Sequence, residues 1–311
     1  MAEWPSRHIG DWIKLLVGLI KALKTAPPWY SNSVMLNRLG WQRFRYNWMN
    51  LNRLEPLSGS AEYHDIITRI GEDGVVVIEN FLPDDAFRRL RDEAESRFST
   101  APKKDIGGAI ETVEVMDSPT FQGSLAADPR ILSAARAVSH RPVVKLPTPY
   151  IWVLQGKENS DEAAGVTNES QLAHADKAYP LIKVFYAIHD VDEANGAFTY
   201  YRGSHRLGPW RRRFEQEHSL RQAAYRREHG DNIVFDLDEE LQEAGFTPTV
   251  LEGAANTLVI ANTMGFHKRG RFKDARPRFY GHLDFHYLEF WAYRPYSRLA
   301  ALLGRDLAGA K

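Results

Sequence analysis

The chain has 311 residues, of which 43% are hydrophobic and 12% aromatic, enough to bury one large hydrophobic core. Basic and acidic residues both total 40, so the formal net charge is zero and a basic nucleic-acid-binding surface is not indicated. The sequence contains no cysteine, which excludes disulfides, thiolate metal sites and cysteine nucleophiles. Histidines and carboxylates remain as the strong metal ligands, and the composition fits a cytoplasmic protein.

Residues 1–59 form a predicted N-terminal extension whose composition differs from the rest of the chain. Five of the eight tryptophans fall in residues 1–54, together with eight basic and two acidic residues. Residues 11–24 predict a very apolar helix with a narrow polar stripe, too short to span a bilayer. Two interpretations are open: this helix packs on the main domain, or it lies in the plane of a membrane surface with its lysines near anionic lipid. The second interpretation predicts peripheral membrane association.

Residues 60–311 are predicted to form one mainly β domain. Short apolar segments rich in valine, isoleucine and aromatic residues favour strands, and they do not alternate regularly with helices. This pattern favours an antiparallel sandwich or barrel with flanking helices. The predicted strands cover residues 74–80, 111–116, 150–154, 180–188, 257–261 and 278–290, and the predicted helices follow residue 81 and cover residues 129–138 and about 298–307.

A basic insertion interrupts this domain at about residues 208–243 and has helical character. Two interpretations are open for its arginines: a solvated helical face paired with nearby glutamates, or a lid that recognises an anionic substrate. The arginines are Arg211, Arg212, Arg213, Arg221, Arg226 and Arg227.

Two ligand types occur next to each other at His174 and Asp176, just before an apolar predicted strand. In an extended chain, residues i and i+2 point to the same side, so both side chains can face one ion. Imidazole and carboxylate with open positions are typical of non-haem Fe(II), provided that a second histidine joins them. His267 follows a predicted strand and is the candidate third ligand. Arg278, eleven residues further, is suited to a bidentate grip on a carboxylate.

Two other patterns compete for these roles. His282, Asp284 and His286 share one face of the last predicted strand, but their spread along it is too large for one ion, so we interpret them as pocket lining or hydrogen-bonded core. Arg276 is an alternative to Arg278, because both lie on the same face of the predicted strand.

In the combination of His174-x-Asp176, Asn195-Gly196-Ala197, Gly203-Ser204-His205, His267 and Arg278, the chain resembles the phytanoyl-CoA dioxygenase family between about residues 71 and 287. The resemblance implies a double-stranded β-helix (a cupin-like jelly roll). It also implies Fe(II) bound by His174, Asp176 and His267, 2-oxoglutarate held by Arg278, and O₂ as a cosubstrate. It further places Gln155 and Asn159 where related enzymes make polar contacts to the cosubstrate.

The chain departs from the family pattern at Arg202, where proline is usual, and at Lys268 and Arg269, where small residues are usual. Both changes concern the shape of the substrate entrance. Asp176 favours hydroxylation, since related halogenases have a small residue there. We therefore expect a hydroxylase of an anionic or lipid-linked small molecule. The alternatives are a non-catalytic, membrane-associated binding protein on the same barrel and a metal-dependent cupin isomerase or hydrolase.

Overall fold

A computed structural model describes residues 63–106, 109–139, 146–157, 169–176, 180–230 and 234–285. The predicted extension at residues 1–59, Asn159, His286 and the predicted helix near residue 298 lie outside these ranges. The chain divides into two compact units. The larger comprises Leu54–Arg206 and Val234–His286, and the other comprises Met1–Arg53, Leu207–Ile233 and Tyr287–Lys311.

The larger unit contains two antiparallel sheets within its described residues. A seven-stranded sheet has the order β1-β8-β5-β10-β4-β3-β2, and a three-stranded sheet has the order β7-β6-β9. The strands are β1 Val75–Ile78, β2 Lys104–Asp105, β3 Ala109–Val115, β4 Tyr150–Gly156, β5 Ile182–Ala187, β6 Phe198–Tyr201, β7 Pro248–Leu251, β8 Leu258–Asn262, β9 His267–Arg269 and β10 Pro277–Phe285. The prediction of a mainly antiparallel β fold is confirmed.

Helices accompany the sheets, as the sequence predicts. A π-helical turn, Gln122–Ala126, follows α3 directly, and a 3₁₀ turn covers Glu169–Gln171. The helices are α1 His64–Glu72, α2 Asp84–Thr100, α3 Pro119–Phe121, α4 Pro129–Ser139, α5 Pro209–His229 and α6 Asp238–Glu243. Among the described residues, no helix is long and apolar enough to cross a membrane.

The main core lies between the two sheets. Phe185 on β5 and Phe198 on β6 meet with ring centroids 4.5 Å apart, and both belong to a buried cluster that also includes Val75, Val259 and Tyr280. Because side chains alternate along a strand, the other face of the large sheet points away from this core. Phe279 on that face meets Phe98 of α2 at 5.2 Å.

The basic insertion contains α5 and α6, so its predicted helical character is observed. Helix α5 belongs to the second unit, and one of its arginines differs from the solvated-face interpretation. Arg211 is buried, with 1% of its surface exposed, although its Nε donates to Glu215 Oε1 at 2.9 Å, a glutamate pairing of the kind that this interpretation expects. Four of the other arginines, Arg212, Arg213, Arg221 and Arg227, are exposed, as that interpretation expects. The lid interpretation stays a prediction.

Candidate metal centre

His174 and His267 are brought together by backbone pairing. The His174 amide donates to the His267 carbonyl at 2.9 Å, and the His267 amide donates back at 2.8 Å. Two residues further, the Asp176 amide donates to the Thr263 carbonyl at 3.0 Å. Backbone hydrogen bonds therefore hold the segment from His174 to Asp176 against residues 263–267, which lead into β9.

Hydrogen bonds set the tautomer of both histidines. His174 Nδ1 lies 2.8 Å from the Leu172 carbonyl oxygen, and His267 Nδ1 lies 3.0 Å from that of Gly265. A carbonyl oxygen only accepts, so each Nδ1 carries a proton, and in the neutral imidazole each Nε2 keeps its lone pair. Such bonds are the usual outer contacts of metal-binding histidines.

The ligand atoms of His174, Asp176 and His267 lie within 4.8 Å of one another. His267 Nε2 is 3.7 Å from Asp176 Oδ1, and the two imidazole centroids are 4.6 Å apart. His267 is buried, and the other two are half-buried. Two imidazole nitrogens and one carboxylate that converge in this way are the donor set of a facial-triad iron site.

The charge states suit a cation. Burial lowers the pKa of His174 to about 4, and the neighbouring His267 adds to this effect, so His174 is neutral at pH 7. Burial acts to raise the pKa of Asp176, but His267 and Lys183 outweigh it and hold that pKa well below its ordinary value. Metal ligands must be deprotonated, and both residues meet that condition at neutral pH.

The Gly-Ser-His segment supports the loop before His267. The Ser204 hydroxyl oxygen accepts the Phe266 amide at 2.8 Å, and Ser204 is fully buried. His205 Nε2 lies 3.1 Å from the Gly71 carbonyl oxygen, which joins the Gly-Ser-His turn to that segment. The motif thus acts on the metal centre through Ser204, a role that sequence reasoning did not assign.

Arg278 and Arg276 differ sharply in the structure. Arg278 is 3% exposed on β10, its Nη1 donates to the Gly196 carbonyl at 2.7 Å, and its Cζ lies 5.5 Å from the Trp152 ring centroid. Arg276 lies before β10, is half exposed, and pairs with Asp192 and Asp274 at 2.9 and 2.7 Å. Burial against aromatic rings makes Arg278 the better candidate for a ligand carboxylate.

The structure does not bring Gln155 to the face that carries the Arg278 neighbours. Its Nε2 donates to the Ala275 carbonyl at 3.1 Å. On β4, Leu154 lies opposite Arg278 of β10, and Trp152 lies opposite Tyr280. Because side chains alternate along a strand, Gln155 points to the opposite face of the sheet from these residues. Lys268 and Arg269 are likewise engaged elsewhere: Lys268 pairs with Asp238, and Arg269 Nε contacts Ser170 Oγ at 3.2 Å.

A polar wall stands beside the triad and consists of Tyr150, Lys183, His282 and Asp284. Lys183 Nζ lies 3.0 Å from Asp176 Oδ2, and the Tyr150 hydroxyl donates to Asp284 Oδ2 at 2.9 Å. His282 is 1% exposed and stacks on Tyr150 at 4.8 Å, which agrees with its interpretation as core or pocket lining. The sequence analysis did not select Lys183. The feature that could have indicated it is a single charged residue inside an otherwise apolar predicted strand.

The family model of phytanoyl-CoA dioxygenase (PhyH) matches residues 70–252. That match includes His174 and Asp176 and ends before His267 and Arg278. No curated protein sequence matches the chain.

Two solved structures are similar to this chain in fold. The crystal structure of the epimerase SnoN in complex with Fe3+, alpha ketoglutarate and nogalamycin RO is 18% identical, with a TM-score of 0.52 over 81% of this chain and 92% of that chain. A second crystal structure, of the non-heme alpha ketoglutarate dependent epimerase SnoN from nogalamycin biosynthesis, is 18% identical, with a TM-score of 0.50 over 72% of this chain and 82% of that chain. With the two-sheet topology, this likeness confirms the predicted cupin-like jelly roll. Since the family model covers more than half of the chain, the chain belongs to the phytanoyl-CoA dioxygenase family.

Proposed function

We propose that this protein is an Fe(II)- and 2-oxoglutarate-dependent dioxygenase that hydroxylates an unactivated C–H bond of an organic small molecule. One observation carries the proposal: the ligand atoms of His174, Asp176 and His267 converge within 4.8 Å on a phytanoyl-CoA dioxygenase family chain. The SnoN structure with Fe3+ and alpha ketoglutarate supports the choice of cofactors.

The residues present fit both groups. His174, Asp176 and His267 would hold the iron, with each histidine offering the Nε2 that its carbonyl contact leaves unprotonated. Arg278 would bind the distal carboxylate of 2-oxoglutarate, since it supplies a buried, permanently charged, planar donor. Iron and 2-oxoglutarate supply the oxidative chemistry with O₂ when bound, and the protein positions them and limits access of water.

Hydroxylation is the outcome that the residue at position 176 favours. A carboxylate at position 176 would take one coordination position of the iron. A small residue there would leave that coordination position open to another anion. SnoN is described as an epimerase, so the oxidative outcome needs its own measurement. Mass spectrometry of the product would show one added oxygen atom for hydroxylation and no added oxygen for epimerisation.

The surface next to the polar wall supports an amphipathic substrate. Tyr150 pairs with Val115 across β4 and β3, and Trp152 pairs with Val113. Both valines are large apolar residues on the edge of the inner face, 55% and 47% exposed. We propose that a polar or anionic group of the substrate lies near the polar wall, while its apolar part lies on the two valines.

The first experiment is an anaerobic titration of metal-free protein with Fe(II) and then 2-oxoglutarate. Chelation of iron by 2-oxoglutarate should produce a visible charge-transfer band. The band should be absent in His174→Ala and weakened in Arg278→Ala, whereas Arg276→Ala should behave as the wild type. If folded wild-type protein binds iron but shows no band at saturating 2-oxoglutarate, the proposed cofactor chemistry is wrong.

The second candidate function is a non-catalytic, membrane-associated binding protein on the same barrel. The apolar, lysine-bearing segment at residues 11–24 favours membrane association, with about 1 kcal/mol per lysine near anionic lipid. Flotation on anionic vesicles compares the full chain with a variant whose lysines in this segment are replaced by glutamate. Co-flotation of the full chain alone supports peripheral association, and no flotation of either protein rejects it. Succinate production would exclude the non-catalytic function.

A further inference from the structure

The two oxygens of the Asp176 carboxylate have different partners. Oδ1 lies 3.7 Å from His267 Nε2, on the side where the triad converges. Oδ2 lies 3.0 Å from the Lys183 ammonium. The carboxylate is therefore divided between a metal-facing oxygen and an oxygen held by a cation.

The backbone fixes Lys183 in this place. Lys183 is the second residue of β5, and its strand neighbours in register are Ala261 on β8 and Asp284 on β10. It shares a face with Phe185, a member of the core between the sheets. Its side chain is 23% exposed, and that of Asp176 is 18% exposed. A lysine that points into a sheet interior is retained only with an anionic partner, and Asp176 supplies it.

We propose that Lys183 is a positioning residue that restricts Asp176 to metal coordination through Oδ1 alone. This inference rests on the proposed function, because it concerns the same metal centre. A carboxylate that bound through both oxygens would occupy an additional position on an octahedral ion. By holding Oδ2, Lys183 keeps that position available for 2-oxoglutarate or O₂.

A second consequence follows from charge. The ammonium stands beside the site that a dication would enter, so it opposes metal binding while it orients the ligand. Removal of the charge should therefore tighten metal binding, whereas simple damage to the fold would weaken it. This opposite sign separates positioning from a merely structural role.

The test uses Co(II) titrated into metal-free full-length protein, followed by visible absorption, because the d–d bands of octahedral Co(II) shift when a carboxylate oxygen replaces a water ligand. Lys183→Met keeps the apolar stem and removes the charge. We expect shifted d–d bands of the bound Co(II) and an affinity about tenfold higher than in the wild type. Lys183→Arg should restore both wild-type values, since arginine can also hold Oδ2.

Lys157→Met is the matched control, because Lys157 forms an exposed ion pair with Asp105 at 2.6 Å. It should leave the Co(II) spectrum and affinity unchanged. Wild-type absorption and affinity in Lys183→Met would overturn the inference. If Lys183→Met does not fold, Lys183→Gln replaces it, and the same two measurements decide. If the wild type itself binds no Co(II), the proposed metal centre fails, which is a different result from failure of the Lys183 inference.

Discussion

Gly265 offers a sharp test of how the loop before β9 positions His267. A Cβ at this position would lie 2.0 Å from the Tyr200 hydroxyl oxygen and 2.6 Å from Tyr200 Cζ. Tyr200 has no room to yield, because it is fully buried and its hydroxyl donates to the Asn262 carbonyl at 2.8 Å. Gly265→Ala must therefore displace the loop or the tyrosine.

The cost of such overpacking is about 1–3 kcal/mol of the free energy of unfolding. Metal binding should weaken as well, because the Gly265 carbonyl accepts the His267 Nδ1 hydrogen at 3.0 Å and would move with the loop. The assays are thermal unfolding of the metal-free protein and titration with Fe(II). Tyr200→Phe in the Gly265→Ala background removes the closest contact and should restore part of the loss.

Gly71→Ala is the matched control, since it makes the same chemical change in helix α1. A Cβ at Gly71 meets no atom within 4 Å, so alanine should stabilise the helix by about 0.5–1 kcal/mol. Equal stability of the two variants, or wild-type metal affinity in Gly265→Ala, would refute the steric reasoning.

Two further predictions concern charge. Arg278→Ala should weaken 2-oxoglutarate binding about tenfold or more, since a charge-assisted hydrogen bond contributes about 1.5–3 kcal/mol. Replacement of the exposed Arg276 by alanine should change this binding little. Isothermal titration of the metal-loaded protein measures both affinities, and equal losses would contradict the assignment of Arg278 to the 2-oxoglutarate carboxylate. Burial lowers the pKa of His282 to about 4, so the unfolded chain binds more protons than the folded chain between about pH 6.5 and pH 4. The stability contributed by neutral His282 is therefore present above pH 6.5 and is lost as the pH falls toward 4. His282→Phe should flatten this part of the stability profile in denaturant unfolding, and an unchanged profile would show that other groups cause the slope.

Much of the candidate site follows from local sequence rules. The spacing of His174 and Asp176 places both on one side of an extended segment, and the Gly-Ser-His motif marks a turn. Arg278 and His282 share a face because they lie four residues apart on β10. These statements need only the alternation of side chains along the chain.

Other parts of the site could not be derived in this way. Gln155 and Leu154 are adjacent in sequence, yet only Leu154 lies opposite Arg278 in the sheet register. Arg276 and Arg278 both suit a carboxylate by type, and burial separates them, since Arg276 already pairs with Asp192 and Asp274. Sequence spacing contains no information about which of the two reaches the interior.

The sequence by itself determined the residue types available for chemistry, the mainly β character of the domain and the faces on which His174, Asp176 and Arg278 stand. The tertiary structure decided which of these faces meet. The backbone pairing of His174 with His267, 93 residues further, and the approach of Lys183 to Asp176 both depend on long-range sheet register. Register is set by packing of the whole core, because a one-residue shift turns every side chain of a strand to the opposite face.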